Sequence, residues 1–204
     1  MKRVRLQPPR FRRIYLSLME EVIRRRNIVA DGKIVLPRAI AFELCYLQLR
    51  IICESIALGC LSTHGGIPGT QTKVLLNAWS PKDILRELER LHPQFYPVPY
   101  DINSFDGERT PAEITFVRSG YLTKAELLKL WNECGGILHR GVLKTIEEPY
   151  KPDFSKIRAW DHKILRLLKS HHLQLADPIY YFGIIMQHPD DGMIRVKRTS
   201  LGQR

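Results

Sequence analysis

The sequence predicts a mainly α protein, a helical bundle around one buried central helix with a small C-terminal β-hairpin. Three observations support this fold class. Residues 36–61 are apolar on almost every side of a helical wheel, as expected for a helix that its neighbours cover all round. Several other segments repeat apolar residues at helical spacing. The chain after residue 172 instead alternates apolar and polar side chains, which is typical of strands.

The domain organisation follows from this division. Residues 1–9 are basic and contain two prolines, and we expect them to be a disordered lead. Residues 10–170 form the bundle domain, which begins with a helix predicted over residues 10–27. Asp31-Gly32 then stands between two short β-branched stretches, a pattern that favours a tight hairpin turn. Residues 171–204 form the hairpin and a basic tail, packed on the same domain.

The central helix is predicted over residues 36–62. Glu43, Arg50 and Glu54 fall on one narrow stripe of its wheel. Arg50 and Glu54 are one turn apart, so we expect them to form an ion pair. Buried charges persist only when they are paired or hydrogen-bonded. The stripe is therefore either the solvent edge of the helix, with a structural ion pair, or an internal polar site of functional importance.

The four cysteines predict a reducing compartment. Three of them lie on the central helix, and the chain contains no Cys-x-x-Cys motif and no histidine at metal-ligand spacing. They are expected to be small buried side chains, with no metal and no other cofactor. No apolar signal sequence follows the basic start, and three charges interrupt the central helix. We therefore expect a cytoplasmic protein without a membrane partner.

The segment after the central helix is predicted to be largely irregular. Residues 62–73 are rich in glycine, proline and threonine and are typical of a surface loop, where we expect His64 to be exposed. Ser80, followed by a proline and an acidic residue, predicts the start of a short helix over residues 81–91. Three prolines within PQFYPVPYDINSF, residues 93–105, predict an irregular crossing.

A capping box at Thr123 predicts another helix, over residues 123–140. Gly135 and Gly136 interrupt this helix, at a cost of about 1 kcal/mol each relative to alanine. Close approach of a neighbouring helix or of a ligand is expected to offset that cost.

A last helix is predicted over residues 154–170, before the apolar period changes. The stretches IYYFGIIMQ and MIRVKRTS, separated by HPDDG, predict a β-hairpin with Arg195 and Lys197 on one face. His171 and His172 are adjacent at the start of this strand region. Their side chains therefore point to opposite sides of a strand and cannot easily share a metal ion.

The net charge of +11 is concentrated at the two ends of the chain. Residues 1–27 contribute +7 and residues 192–204 contribute +4, so the middle is neutral. Clustered cations suggest a polyanion, most often nucleic acid, although basic termini also simply keep proteins soluble. We predict that any nucleic-acid binding is electrostatic and tolerant of sequence. The predicted binding residues are Arg24, Arg25, Arg26, Arg195, Lys197 and Arg198.

Two helical motifs resemble those of the HEPN helical bundles of bacterial defence and toxin systems. The first is L-R-x-x-C-E-S-I-A-L at Leu49–Leu58, and the second is W-N-E-C-G-G-I-L-H-R-G at Trp131–Gly141. The resemblance covers about residues 36–141. It implies an all-helical fold, RNA as the partner and a metal-independent endoribonuclease activity, with an antitoxin-like protein as a further partner.

The resemblance also implies roles for individual residues. Active HEPN proteins place an arginine shortly before a histidine on one helix, and His139 matches that histidine. The arginine positions, residues 132–134, hold no arginine. Arg50 is expected to supply the cation across the helix interface, with Glu54 orienting it and Asn132 holding a phosphate or ribose hydroxyl. His139 would be the general base toward a ribose 2′-hydroxyl, and Arg50 would stabilise charge on the scissile phosphate.

The alternative is a catalytically silent interaction module. On this hypothesis His139 is a helix-end residue hydrogen-bonded to a backbone carbonyl. The protein forms a homodimer through its glycine-containing helix, and its basic ends bind nucleic acid or an acidic partner. The missing arginine favours this alternative, whereas an Arg50 guanidinium and a His139 imidazole that open onto one cleft would favour the enzyme.

Overall fold

A computed structural model of the chain describes five long helices and five strands. The helices are α1 (Pro8–Ala30), α2 (Arg38–Thr63), α3 (Pro81–Leu91), α4 (Lys124–Leu138) and α5 (Phe154–Leu168). The strands are β1 (Val98–Phe105), β2 (Pro111–Phe116), β3 (Ser170–Gln174), β4 (Tyr180–Ile185) and β5 (Arg195–Ser200). The described residues are 8–30, 35–67, 69–70, 72, 75, 77–108, 110–139, 152–175, 177 and 179–200.

The fold is α+β, so the predicted mainly α bundle with only a small C-terminal hairpin is wrong. All five strands form one antiparallel sheet in the order β2-β1-β3-β4-β5. The predicted hairpin is confirmed as β4 and β5, with Ile184 opposite Val196. The sheet nevertheless extends across β3 to two strands that precede α4 in the chain. The all-helical fold implied by the resemblance is corrected by the same observation.

The predicted irregular crossing over residues 93–105 contains β1. Prolines usually argue against a strand because they cannot donate a backbone hydrogen bond. Pro99 is tolerated because it lies near the beginning of β1, where proline is accepted, and its carbonyl still accepts a hydrogen bond from the Val117 amide (3.0 Å). Local composition therefore hid a strand that long-range pairing stabilises.

The helix α2 is the centre of the helical layer, as predicted. It packs on α1 along its length and also contacts α3, α4 and α5. Leu49, Ile52 and Cys53 on α2 are fully buried, and all four cysteines are free and buried. The length and composition of α2 would also suffice to cross a membrane, but 61% of its most apolar window is buried inside the protein, as in a core helix.

The start of α4 agrees with the capping signal in the local sequence. The capping box is confirmed, since the Glu126 amide donates to Thr123 Oγ1 (3.3 Å) and the Thr123 amide donates to Glu126 Oε2 (3.0 Å). The first helix begins at Pro8 rather than at residue 10. Three predicted features lie outside the described residues: most of the basic lead, the Asp31-Gly32 turn and the end of the basic tail.

One face of the sheet packs against the helices. Leu173 and Ile184 on this face are fully buried in the core. His171 also points inward, and its Nδ1 donates to the Leu168 carbonyl (2.9 Å) while its Nε2 accepts from the Tyr15 hydroxyl (2.5 Å). Burial lowers the pKa of His171 to about 4, so the imidazole is neutral at pH 7.

The ribbon formed by β1 and β2 curls over the opposite face of the sheet. The strand β1 pairs with β3 only at Val98 and Pro99, and beyond these residues it pairs with β2 alone. Register irregularities between Ile102 and Phe105 interrupt the ribbon, and such irregularities bend a strand and increase its twist. The outer face of the sheet is therefore concave.

Candidate nucleic-acid interface

The concave face of the sheet forms a groove of about 1260 Å³. Alternate residues along each strand point to the same face, and all five strands contribute to the lining. This volume exceeds the roughly 300–1,000 Å³ of most small-molecule pockets. The lining includes Arg12, Val98, Tyr100, Ile114, Phe116, His172, Tyr181, Arg195 and Lys197, together with Gly183.

Three aromatic rings form a row across the groove. The ring centroids of Phe116 in β2 and His172 in β3 lie 5.2 Å apart, and the two ring planes are nearly perpendicular at 88°. The His172 ring lies 5.5 Å from the Tyr181 ring of β4. Phe116 is 50% exposed, although it is a large apolar side chain. His172 and Tyr181 are half-buried, so Phe116 is the ring most open to stacking by an unpaired base.

Gly183 leaves open space in the floor of the groove. It lies between His172 and Lys197 in the strand register. A Cβ at this position would lie 3.6 Å from the Tyr100 hydroxyl, which is an ordinary contact, so packing within the protein does not require glycine. Glycine within a strand often marks close approach of a ligand. The missing side chain therefore widens the groove beside the aromatic row.

The Tyr100 hydroxyl remains protonated in this floor. It donates to the Ile184 carbonyl (3.5 Å), and burial, together with nearby Tyr181, raises the pKa of Tyr100 to about 12. It therefore offers a neutral hydroxyl to the groove.

Cations line the wall of the groove that β5 forms. Arg195 and Lys197 project from β5, and Arg12 reaches the strand from α1, where its Nη2 donates to the Val196 carbonyl (3.2 Å). The carboxylates of Glu108 and Asp190 also lie in the lining, so the lining carries a formal excess of one positive charge. The three cations are exposed, and Arg195 forms an ion pair with Asp191.

The six basic residues predicted from the sequence do not form one surface. Arg195 and Lys197 line the groove. Arg198 lies on the opposite face of β5, where its guanidinium stacks on the Tyr180 ring at 4.0 Å from the centroid. One strand therefore directs its neighbouring cations to two different surfaces.

The other three predicted cations lie toward the far end of α1, about 18 Å along the helix from Arg12. Arg26 makes two hydrogen bonds with Asp161 (2.7 and 2.9 Å). Arg25 donates to Gln48 (2.6 Å) and pairs with a glutamate on its own helix. Arg24 is more exposed and pairs with Glu20 and Glu21 of its own helix. Arg25 and Arg26 thus connect α1 to α2 and α5.

The ion pair predicted between Arg50 and Glu54 is present. Arg50 Nε lies 3.4 Å from Glu54 Oε1, and the two side chains are 19% and 26% exposed. Glu54 also accepts a hydrogen bond from Trp131 Nε1 (3.0 Å), and the Arg50 guanidinium lies over the Trp131 ring at 4.6 Å. The polar stripe of α2 is therefore partly covered by α4 and is not a fully exposed solvent edge.

Gly135 allows this close approach of α2. A Cβ on Gly135 would lie 3.0 Å from Arg50 Nη1, whereas a Cβ on Gly136 would meet no atom of the described residues within 4 Å. Asn132 precedes Gly135 by about one helical turn, and His139 follows it by one turn as the C-cap of α4. Both side chains are exposed. Arg50 therefore lies against the part of α4 that carries Asn132 and His139.

These four residues stand apart from the groove. None of Arg50, Glu54, Asn132 and His139 lines it. His139 is the C-cap of α4, and its backbone amide donates to the Gly135 carbonyl (3.0 Å). Within the described part of the chain, no group of three or more His, Cys, Asp or Glu residues is arranged to hold a metal ion.

His64, expected to be exposed, is instead almost completely buried at 1% exposure. Its Nδ1 lies 2.7 Å from the Cys60 carbonyl and its Nε2 lies 2.9 Å from the Gln174 carbonyl, so the ring joins the end of α2 to β3. Burial lowers the pKa of His64, and the two carbonyls act in the opposite direction. This histidine is a structural connection beneath the sheet.

The aromatic half of the groove was not predicted from the sequence. Phe116 and Tyr100 belong to strands that were not predicted. The alternation within AEITF, residues 112–116, is the signal that would have indicated β2. No such signal links Phe116 to His172 and Tyr181, because these residues come together only through the pairing of β1 with β3.

No known protein family, curated protein or solved structure matches this chain. The resemblance to HEPN proteins therefore stays a prediction.

Proposed function

We propose that this protein binds single-stranded RNA in the groove of its sheet. The observation that carries the proposal is the row of Phe116, His172 and Tyr181 on the same concave face as Arg195 and Lys197. Aromatic rings stack on unpaired bases, and cations neutralise the phosphate backbone. Bases within a duplex already stack on one another, so their faces are not free to contact such a row.

The exposed apolar surface of the groove supports this proposal. Val98 and Ile114 are exposed beside Phe116, and contiguous exposed apolar side chains usually mark an interaction site. An apolar and aromatic floor with a cationic wall matches a strand of nucleotides, which presents base faces on one side and phosphates on the other. The resemblance to RNA-acting proteins is our reason for preferring RNA to single-stranded DNA.

Fluorescence anisotropy with a labelled oligouridine tests the aromatic row. Phe116→Ala should weaken binding by about 5- to 150-fold, since stacking on one base contributes about 1–3 kcal/mol. Trp79→Ala is the matched control, because Trp79 is 65% exposed but does not line the groove. Equal affinities of wild type and both variants would contradict the proposal. Oligodeoxythymidine measures the preference for RNA over DNA.

Two substitutions of neighbouring residues on β5 test whether the cationic wall binds the phosphates. Lys197→Gln should weaken RNA binding, because Lys197 faces the groove. Arg198→Gln should leave it almost unchanged, because Arg198 stacks on Tyr180 on the opposite face of the same strand. If the two substitutions weaken binding equally, the phosphates do not lie in the groove.

A metal-independent endoribonuclease at the seam between α2 and α4 is the second candidate function. The observation that favours it is the contact of Arg50 with Gly135, one turn before His139. In this reaction His139 would remove the proton of a ribose 2′-hydroxyl, and Arg50 would stabilise the charge on the phosphate. Asn132, one turn on the other side of Gly135, would hold a phosphate or ribose hydroxyl.

Cleavage assays in the presence of chelator test the second candidate. His139→Ala should reduce cleavage by about 10²- to 10⁴-fold, as is typical for loss of a general acid or base. It should not alter stability, because His139 is exposed at the helix end. On the silent-module hypothesis, Asn132→Arg should create or raise activity. If wild type and both variants leave structured and unstructured RNA intact, catalysis is excluded and only binding is retained.

A further inference from the structure

Three residues of neighbouring strands stand side by side on the groove face of the sheet. His172 of β3 pairs with Gly183 of β4, and Gly183 pairs with Lys197 of β5. Directly paired residues of an antiparallel sheet point to the same face, and all three residues line the groove. Since neighbouring strands are about 4.8 Å apart, the backbones of His172 and Lys197 are about 10 Å apart. Gly183 puts no side chain between them.

The gap at Gly183 has room for a small anion. Within the described part of the chain, a Cβ at Gly183 would meet only the Tyr100 hydroxyl oxygen (3.6 Å) and the Lys197 carbonyl oxygen (3.9 Å) within 4 Å. The Tyr100 hydroxyl is a donor, and its hydrogen bond to the Ile184 carbonyl is long at 3.5 Å. Little is therefore lost if this hydroxyl turns to a stronger acceptor in the gap.

The two side chains that flank the gap can both contact a ligand. Lys197 Nζ donates to Thr110 Oγ1 (3.2 Å), and an ammonium group has two further donors. The His172 ring contacts the rings of Phe116 and Tyr181, but neither of its nitrogens hydrogen-bonds to another described residue. An ammonium group and an imidazole are thus available on the two sides of Gly183.

The charge of His172 can change near neutral pH. Burial lowers the pKa of His172, so the imidazole of the free protein is neutral at pH 7. A phosphate beside the ring favours the imidazolium and raises the pKa of His172 again. His171, behind it on the core side of β3, has a pKa of about 4 and stays neutral in this range.

The other titratable groups of the groove come from several elements. The strand β5 and helix α1 contribute the three cations, β1 and β4 contribute tyrosine hydroxyls, and the described lining from β2 is uncharged. The loops contribute the carboxylates of Glu108 and Asp190. Ordinary carboxylates, phenols, ammonium and guanidinium groups titrate outside the range from about pH 5.5 to 8. The second histidine of the described lining is His188, which therefore serves as a control.

We propose that the gap at Gly183 is a phosphate site, in which a phosphodiester of the RNA binds between Lys197 and a His172 that takes up a proton from solvent. The Tyr100 hydroxyl donates the third contact. This inference rests on the proposed binding of RNA in the groove. It adds where one phosphate is held, and that binding is coupled to protonation. At lower pH, His172 thus adds a fourth cation to the groove.

Anisotropy titrations across pH test the proton uptake. The probe is a labelled oligouridine without terminal phosphates, because terminal phosphates themselves titrate near pH 6. Wild-type affinity should rise as the pH falls from about 8 to 5.5, by up to about tenfold per pH unit. The variant His172→Phe keeps an aromatic ring in the row but cannot be protonated, so its affinity should be nearly independent of pH. The control His188→Gln should retain the rise.

The substitution Gly183→Ala tests the position of the phosphate. The added methyl group makes only ordinary contacts within the protein, so the fold should be retained, and thermal unfolding checks this. The methyl group would occupy the phosphate site. Gly183→Ala should therefore weaken RNA binding several-fold at the acidic end of the pH range and reduce the dependence on pH. Equal affinities of this variant and the wild type there would overturn the inference.

The remaining outcomes separate the phosphate site from the proposed function. Wild-type binding that does not change with pH would overturn the phosphate site, and so would a rise that persists in His172→Phe. Both results would leave RNA binding in the groove intact. Failure of the wild-type protein to bind oligouridine at any pH would instead overturn the proposed function. Circular dichroism at each pH ensures that folded protein is compared throughout.

Discussion

At the scale of single residues, two adjacent glycines of α4 have different roles. Gly135 lies against the Arg50 guanidinium, whereas no described residue approaches the Cβ position of Gly136. Glycine lowers helix stability at both positions because its backbone loses more conformational freedom on folding. Only at Gly135 does a contact account for the residue. The sequence predicted close approach of a neighbouring helix or of a ligand for the pair, and the structure places a side chain of α2 against Gly135.

Alanine substitutions should separate the two glycines. We predict that Gly136→Ala raises the free energy of unfolding by up to about 1 kcal/mol, because alanine favours the helix. Gly135→Ala should be neutral or destabilising, since its Cβ would lie 3.0 Å from Arg50 Nη1 and the guanidinium would have to move. Urea unfolding measures both values.

The control for the glycine pair is the Arg50→Ala background. There Gly135→Ala should stabilise the protein about as much as Gly136→Ala does, because the obstructing side chain is gone. A difference that persists in this background would show that Arg50 is not the cause. The single and double variants form a double-mutant cycle, which isolates the coupling free energy between Gly135 and Arg50.

The buried His171 should make stability depend on pH. Its pKa in the folded protein is about 4, mainly because of burial, and an exposed histidine has a pKa near 6.5. Between these pH values the unfolded chain binds more protons, so the free energy of unfolding should rise as the pH increases from about 4 to 6.5 and then level off for this group. Urea unfolding across this range measures the slope.

An independent readout for His171 is its imidazole resonance in NMR. The ring should not titrate near pH 6.5 in the folded protein, because it is fully buried between Tyr15 and the Leu168 carbonyl. Titration near 6.5 would contradict the burial on which the prediction depends.

At the scale of elements, local signals predicted the helices better than the strands. The capping box at Thr123 and the proline at the first position of α3 both mark helix starts correctly. The strand β1 was missed because the prolines within residues 93–105 argue against a strand. The strand β2 was missed because the alternation of apolar and polar side chains in residues 112–116 is too short to be a strong signal. They become strands through pairing with each other and, at Val98 and Pro99, with β3.

Two predicted N-caps should differ in their contribution to stability. Thr123→Ala should lower the free energy of unfolding by about 1 kcal/mol, the usual effect of losing a side-chain cap. Ser80→Ala should have almost no effect, because the Ser80 side chain makes no capping hydrogen bond with α3. Thermal or urea unfolding of both variants tests this. Equal losses would indicate that the Ser80 side chain also caps its helix in solution.

At the scale of the whole molecule, the folded chain separates charges that the sequence groups together. The basic residues near the end of α1 are used for contacts with Gln48 and Asp161, whereas Arg12, Arg195 and Lys197 surround the groove. Nucleic-acid binding should therefore depend on three cations rather than on the six that the sequence predicts.

The salt dependence of RNA binding distinguishes these two sets. For single strands the logarithm of affinity falls by about 0.7 per neutralised phosphate for each unit of log salt concentration. Three cations predict about a 20-fold loss between about 50 and 200 mM salt, and six predict about a 300-fold loss. Anisotropy titrations at several salt concentrations give the slope. A binding constant indifferent to salt would exclude phosphate contacts altogether.

The sequence by itself determined the features that depend on a few neighbouring residues. These include the buried character of α2, the ion pair of Arg50 with Glu54, the cap at Thr123 and the hairpin of β4 and β5. Periodicity, capping and turn formation act over one or two turns of chain, so their causes are visible in the local sequence.

Only the tertiary structure decided the composition of the groove and of the α2–α4 seam. Phe116 meets His172, and Lys197 meets Thr110, across more than fifty intervening residues. Gly135 acquires its role only when Arg50 packs against it. Such contacts depend on which strands pair and which helices pack, and these choices are made by the burial of the whole core rather than by the local sequence.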